Sequence, residues 1–160
     1  MIDIIIPAYN AFNTLGNTLA SIAKQINYKD LKIYIVNDGS EKSYDSIIKN
    51  YLSFLDITEI YISNSGPGSA RQVGLDYSKN EFVVFIDSDD ILYNEFSILN
   101  LLNIIGENDL AQGCFMDTQA NDNKVMSPQY CYLHGKMYRR TIINKHNIRF
   151  DETRRTNGDI

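Results

Sequence analysis

Phe82-Val83-Val84-Phe85-Ile86-Asp87-Ser88-Asp89-Asp90 is the stretch on which the fold turns. Five consecutive β-branched or aromatic residues run straight into three carboxylates. A strand that is apolar at every position needs cover on both faces, and parallel sheets flanked by helices provide that cover. The acids follow where such a strand would leave the sheet.

Upstream, the same alternation repeats. Residues 2–6 read as a strand stopped by Pro7, and 14–25 as a helix with Leu15, Leu19, Ile22 and Ala23 on one side. Residues 31–36 form a second strand that ends in the turn signal Asn37-Asp38-Gly39-Ser40. A helical period over 44–52, a strand over 57–62, the loop Asn64-Ser65-Gly66-Pro67-Gly68 and a helix over 69–77 lead back to the starting stretch. Repeated β-α-β units with right-handed crossovers predict a three-layer α/β/α sandwich with a mostly parallel central sheet. Downstream the expectations are a helix over 96–105, a strand over 110–116, a hairpin or loop over 118–128, one or two strands over 130–138 and a short helix over 141–146. There is no repeat and no linker, so residues 1–160 are expected to form one domain.

Composition agrees with a packed globular fold. Apolar residues make up 44% and charged residues 22%, which excludes collagen, coiled-coil and disordered classes. The net charge of -5 argues against nucleic acid as a partner. Residues 134–160 nevertheless carry seven Lys/Arg against three Asp/Glu. That basic end is either a solvated face or a contact for an anionic substrate or membrane. Cys114 and Cys131 lack metal-site spacing and fit buried, reduced thiols, hence a cytoplasmic protein. No targeting segment or apolar run of ~18 residues is seen.

In an open parallel sheet, ligands bind beyond the carboxyl ends of the strands. Three ends carry polar loops: Pro7-Ala8-Tyr9-Asn10, Asn37-Asp38-Gly39-Ser40 and Asp87-Ser88-Asp89-Asp90. If the last stays extended, Asp87 and Asp89 project to one side, ~6–7 Å apart along the backbone, and Asp90 to the other. Crowded carboxylates invite a divalent cation, and oxygen-only ligands favour Mg²⁺ or Mn²⁺. An acidic turn capping the next helix is the plainer alternative, with Asp90 or Asn94 as the cap. Asp38 is either a cap or an acceptor for a base imide or ribose hydroxyl. Tyr9 is either a stacking platform or a half-buried aromatic. Gly66 and Gly68 allow close backbone approach, and Arg71 can reach an anion. Neither GxxxxGK[ST] nor GxGxxG is present.

Together these segments resemble the family-2 (GT-A fold) glycosyltransferases of the nucleotide-diphospho-sugar transferase superfamily. The resemblance rests on Ile4-Ile5-Ile6-Pro7-Ala8-Tyr9-Asn10, Val36-Asn37-Asp38-Gly39-Ser40, Asn64-Ser65-Gly66, Ala70-Arg71 and Phe85-Ile86-Asp87-Ser88-Asp89-Asp90. Gly135-Lys136-Met137-Tyr138-Arg139-Arg140 and Ile148-Arg149-Phe150-Asp151-Glu152 extend it nearly to the chain end. It implies an inverting transfer of a sugar from a UDP-type donor to a hydroxyl of a glycan or lipid-linked acceptor, in the cytoplasm or, through the basic end, at the inner face of a membrane. Pro7, Ala8, Tyr9 and Asn10 would line the nucleotide pocket, Asp38 would read the base, and Gly66 and Arg71 would contact the nucleotide. Asp87 and Ser88 would lie near the ribose or sugar, Asp89 would bind a divalent metal, Mn²⁺ or Mg²⁺, and His134 and Lys136 would approach the donor. The donor part would cover about residues 1–116 and an incomplete acceptor part about 117–160.

The chain departs from that pattern at two places. Gln72 stands where the family commonly has Asn, and the family's Glu-Asp pair reads Gly158-Asp159. Asp159 is the candidate catalytic base, one residue from the end, so the chain is expected to be truncated. A binding unit without turnover is therefore the first alternative. A haloacid-dehalogenase-like phosphatase is the second, although its nucleophilic Asp follows the first strand. A sugar-1-phosphate nucleotidyltransferase would need a Gly-rich basic loop where Ala8-Tyr9-Asn10-Ala11 stands.

Overall fold

The computed structural model describes residues 1–117, 124–126 and 133–152. Its first half runs β1 (Ile2–Ala8), α1 (Leu15–Ala23), a 3₁₀ turn (Tyr28–Asp30), β2 (Leu31–Asp38), α2 (Asp45–Ile48), β3 (Asp56–Ile62), α3 (Pro67–Tyr77) and β4 (Phe82–Phe85). The second half adds α4 (Ser97–Ile105), β5 (Leu110–Gln112), β6 (Phe115–Asp117), β7 (Lys124–Met126), β8 (Lys136–Arg139) and α5 (Arg140–Lys145).

Six strands form one sheet in the order β3-β2-β1-β4-β8-β5. β1 to β4 are mutually parallel, and β8 runs antiparallel between β4 and β5. β6 and β7 make a separate antiparallel pair. The expected three-layer sandwich is what forms. β1 is buried at all seven positions because its alternate side chains serve two different layers. Ile2, Ile4, Ile6 and Ala8 pack with Leu15, Leu19 and Ile22 of α1 and Ile98 and Leu101 of α4. Ile5 faces the other way, with Leu75 of α3 and Ile143 of α5. α3 lies close on the sheet at Gly74, where an added Cβ would fall 2.4 Å from Ile5 Cγ2.

Several expectations change. β1 continues through Pro7 to Ala8. The Ile5 carbonyl accepts from Ile86 N–H, so Pro7, two residues on, turns its missing donor to the side where β4 has already ended. The stretch 110–116 is two strands in different sheets, broken at Gly113-Cys114. Gly113 N–H instead donates to the Gly135 carbonyl at 2.8 Å. α2 is a single turn, and the chain after it tightens, with Asn50 N–H bonded to Ile47 and Tyr51 N–H to Ile48. Cys114 is free as expected but exposed rather than buried, because it sits in that break. Cys131 lies outside the described residues.

Asp3 is the one charged residue of β1. It is fully buried, and its carboxylate accepts from Lys79 N–H (2.7 Å), Asn80 N–H (2.6 Å), Asn80 Nδ2 (2.7 Å) and the Arg140 guanidinium (3.3 Å). Such a charge is tolerable in a core only when its partners are built in. Here they join the start of β1 to the start of α5.

Candidate functional site

The parallel strands β1, β2 and β4 are neighbours, so their carboxyl ends open on one edge. β8 is antiparallel to β4, which brings its beginning, with His134 and Lys136 beside it, to that same edge. Topology alone therefore gathers every predicted site segment inside the described residues. Asp159 lies outside them.

At the β2 end, Asp38 is buried and its two oxygens accept from Ser65 N–H at 2.7 Å and Gly66 N–H at 2.9 Å. It thus holds the β3–α3 loop and the entry of α3, where Gly66 has φ +94°. Gly39 (φ +72°) makes this approach possible, since a Cβ there would lie 2.7 Å from Asn64 N. At the β1 end, Pro7 and Ala8 are buried in the strand, whereas Tyr9 is 56% exposed. Asn10 is exposed too, with φ +50°, and its N–H donates to Ser40 Oγ at 3.0 Å.

At the β4 end, Arg71 reaches in from the first turns of α3. Its guanidinium is buried and pairs through Nη2 with Asp87 Oδ1 at 2.6 Å. Its Nε and Nη1 are buried with no hydrogen-bond partner. Buried donors left in that state are costly, so they mark a place where a ligand acceptor fits.

The acidic loop is not extended. Asp90 N–H donates to the Asp87 carbonyl at 3.0 Å, closing a turn, and the Ser88 carbonyl accepts from Thr18 Oγ1 of α1 at 3.0 Å. The expected Asp87–Asp89 pairing on one side rested on an extended chain and gives way to a tighter Asp87–Asp90 arrangement. Although Asp90 is exposed as a residue, partial desolvation of its carboxyl pushes its pKa above the ordinary carboxylate value. Asp87 adds to that rise, His134 opposes it, Asp89 adds a little more and Arg71 opposes it. Asp87, Asp89, Asp90, Arg71 and His134 thus share one electrostatic neighbourhood. Asp90 is expected from sequence only as a helix cap, a place that Phe96 takes instead at α4. The signal that could have found it was Asp-Ser-Asp-Asp itself, a composition that favours turns over extension.

Lys136 is buried at the start of β8, and both Lys136 and His134 are engaged in contacts of their own. Among the described residues, no three His, Cys, Asp or Glu side chains come together as a metal cage. The donor set nevertheless suits Mg²⁺ or Mn²⁺ held by one or two carboxylates and completed by phosphate and water. Desolvation is the main cause of the rise at Asp90, and the negative charge of Asp87 and Asp89 that adds to it is what such a cation would offset. A polar groove between α3 and α5, lined by Gln72, Asp76, Lys79, Arg140 and Arg149, shares no residue with this edge. Two of its cations, Arg140 and Arg149, are already paired with Asp3 and Asp76. The phosphatase alternative needs its Asp after the first strand, whereas the acidic turn here follows the fourth.

Known proteins share this fold. The chain is similar to an uncharacterized glycosyltransferase of Haemophilus influenzae, 29% identical over 79% of this chain and 52% of that protein. It is also similar to the poly(ribitol-phosphate) β-N-acetylglucosaminyltransferase TarS of Staphylococcus aureus, 28% identical over 94% of this chain and 29% of that protein. The chain thus spans about half or less of the length of these relatives. Crystal structures of TarS residues 1–349, including complexes with UDP and UDP-GlcNAc, share its fold (TM-score 0.84, 24% identity, 99% of this chain and 50–52% of that one). A mannosyltransferase from Pyrobaculum calidifontis, in complex with GDP-Man and Mn²⁺, shares it at a TM-score of 0.78 and 17% identity, over 99% of this chain and 49% of that one. The model of Glycosyl transferase family 2 matches residues 3–155, nearly the whole sequence, and the chain belongs to that family.

Proposed function

We propose that this chain binds a UDP-type nucleotide sugar at the shared edge of β1, β2 and β4, as the donor half of an inverting glycosyltransferase. The observation that carries the reading is Arg71, a buried guanidinium with two unpaired nitrogens beside the acidic turn. An oxygen of the nucleotide would complete its bonding. Asp38 spends one acceptor site per oxygen on the loop amides, and a carboxylate has about four such sites. It can therefore hold the loop and still accept an imide N–H of uracil. Tyr9 offers an exposed ring for the base, above a floor of Pro7 and Ala8. Asn10 and Gly66 flank it, Asp87 and Ser88 lie toward the ribose or sugar, and His134 and Lys136 toward the donor phosphates. UDP and UDP-GlcNAc in the TarS complexes, and Mn²⁺ in the mannosyltransferase, support this choice of ligands.

In the transfer, a carboxylate takes the proton of the acceptor hydroxyl, and that oxygen attacks the anomeric carbon from the face opposite the leaving group. The bond from that carbon to the phosphate oxygen breaks, and the electron pair departs with UDP. Positioned proton removal contributes ~10²–10⁴-fold. Asp159 is our candidate for that base. A divalent metal at Asp89 would stabilise charge developing on the leaving diphosphate. The acceptor is a hydroxyl of a glycan or lipid-linked carrier, met on the cytoplasmic side. Lys145, which is exposed, would there face an anionic membrane. No helix among the described residues is long and apolar enough to cross one.

Calorimetric titration of UDP with and without Mn²⁺, followed by a UDP-release assay, tests the reading. Metal-enhanced UDP binding is expected. Binding without release would leave a donor-binding unit without turnover. Failure of UDP to bind in either condition would overturn the proposal.

A further inference from the structure

Two hydroxyls, neither of them assigned a ligand contact, bind the two nucleotide loops together. Tyr44, just before α2, is fully buried, with its ring 4.9 Å from that of Phe12. Its Oη accepts from Ala11 N–H at 3.0 Å and lies 2.8 Å from Ser40 Oγ. Ser40 Oγ in turn accepts from Asn10 N–H at 3.0 Å, and Asn10 Oδ1 accepts from Glu41 N–H at 3.3 Å. The pair is anchored from behind. Glu59 of β3 accepts from Tyr44 N–H (3.2 Å) and from Asn37 Nδ2 (2.9 Å), Asn37 Oδ1 accepts from Ser40 N–H (2.9 Å), and Tyr61 Oη donates to the Ser40 carbonyl (3.2 Å).

We infer that Ser40 and Tyr44 are positioning residues that fix Tyr9 and Asn10 relative to Asp38, so that one buried hydroxyl pair sets the nucleotide-site geometry. If Tyr44 served only to fill the core, its ring beside Phe12 would suffice. A buried phenol needs polar partners. Those it has are a loop amide and the hydroxyl that carries the next loop amide. Asn10 also stands at φ +50°, a conformation disfavoured for a residue with a side chain, so the loop needs outside bonds to hold it. Asp38 lies between Asn37 and Ser40 in the same turn. Any slackening of the pair therefore moves the base platform and the base-reading carboxylate apart.

This inference rests on the proposed nucleotide site, and its test separates the two. Tyr44→Phe keeps the ring and removes the hydroxyl, Ser40→Ala removes the second link, and Ser40→Thr retains a hydroxyl. Amide exchange at Asn10 and Ala11 is read by NMR without ligand, and UDP affinity is read with Mn²⁺ alongside the Tm. Tyr44→Phe and Ser40→Ala are each expected to speed exchange at those two amides and to raise the Kd for UDP about tenfold, equivalent to about 1.4 kcal/mol. Ser40→Thr should stay near the parent. The double variant should cost less than the product of the single effects, because the two bonds form one chain. A lower Tm with unchanged Kd and unchanged local exchange would make the pair merely structural and overturn the inference. If the parent itself binds no UDP, the site reading fails, and exchange at Asn10 and Ala11 still decides whether the pair holds the loop.

Discussion

Arg71 and Asp38 divide the proposed recognition between a cation with spare donors and a carboxylate with spare acceptors. Replacing Arg71 by Met removes the unpaired nitrogens and strands Asp87 without its partner. UDP affinity should fall by one to two orders of magnitude, since hydrogen bonds to charged groups contribute ~1.5–3 kcal/mol. An unchanged isotherm would exclude Arg71 from the site. Asp38→Ala should do two things at once: weaken and broaden nucleotide choice, and lower stability by ~1–3 kcal/mol through the freed Ser65 and Gly66 amides. If stability alone drops while UDP and other nucleotides bind as before, Asp38 is a loop cap only. Asp89→Ala should remove the Mn²⁺ dependence of UDP affinity and leave the fold intact, because the side chain is exposed. Persisting Mn²⁺ dependence would place the cation elsewhere. The residue types at these positions were legible before the fold was known. The turn that joins Asp90 to Asp87 was not, because one backbone bond and a hydroxyl from α1 decide it against extension.

Among the elements, α3 matters most, since it carries Arg71 into the site directly behind Gly66. Its distance from the sheet is set where Gly74 meets Ile5 and Val36. Gly74→Ala would put a methyl into Ile5, and overpacking of this kind costs ~1–3 kcal/mol. For a chain of this size that is a drop in Tm of about 2–4 °C per kcal/mol. Arg71 would be pushed outward with the helix, so UDP affinity should weaken as well. An unshifted Tm would show that α3 does not seat there. The helices α1, α3 and α4 and the strands β1 to β4 could be read from period and from turn residues. α2 could not, because its apolar spacing over 44–52 continues while its backbone tightens into single turns. The break between β5 and β6 was hidden for a similar reason: only the pairing of Gly113 with Gly135 tells one strand from two.

On the scale of the whole molecule, the two ends of the described chain are tied by Asp3 and Arg140, 137 residues apart. No local pattern encodes such a pair. Asp3 is the one charge in an otherwise apolar strand, and its value lies wholly in partners that arrive later. Asp3→Ala should leave the mostly buried Arg140 cation unpaired and cost ~3–5 kcal/mol, measured by denaturant unfolding. A loss below 1 kcal/mol would mean the pair is not structural. Convergence of the strand ends, by contrast, was legible because parallel topology dictates it. Occupancy of that edge is the central claim, and a crystal of the chain soaked with UDP and Mn²⁺ tests it most directly. The uracil is expected between Tyr9 and Asp38, with a nucleotide oxygen on Arg71 and the metal at Asp89. Nucleotide density in the α3–α5 groove, or a cation bound away from the acidic turn, would contradict it.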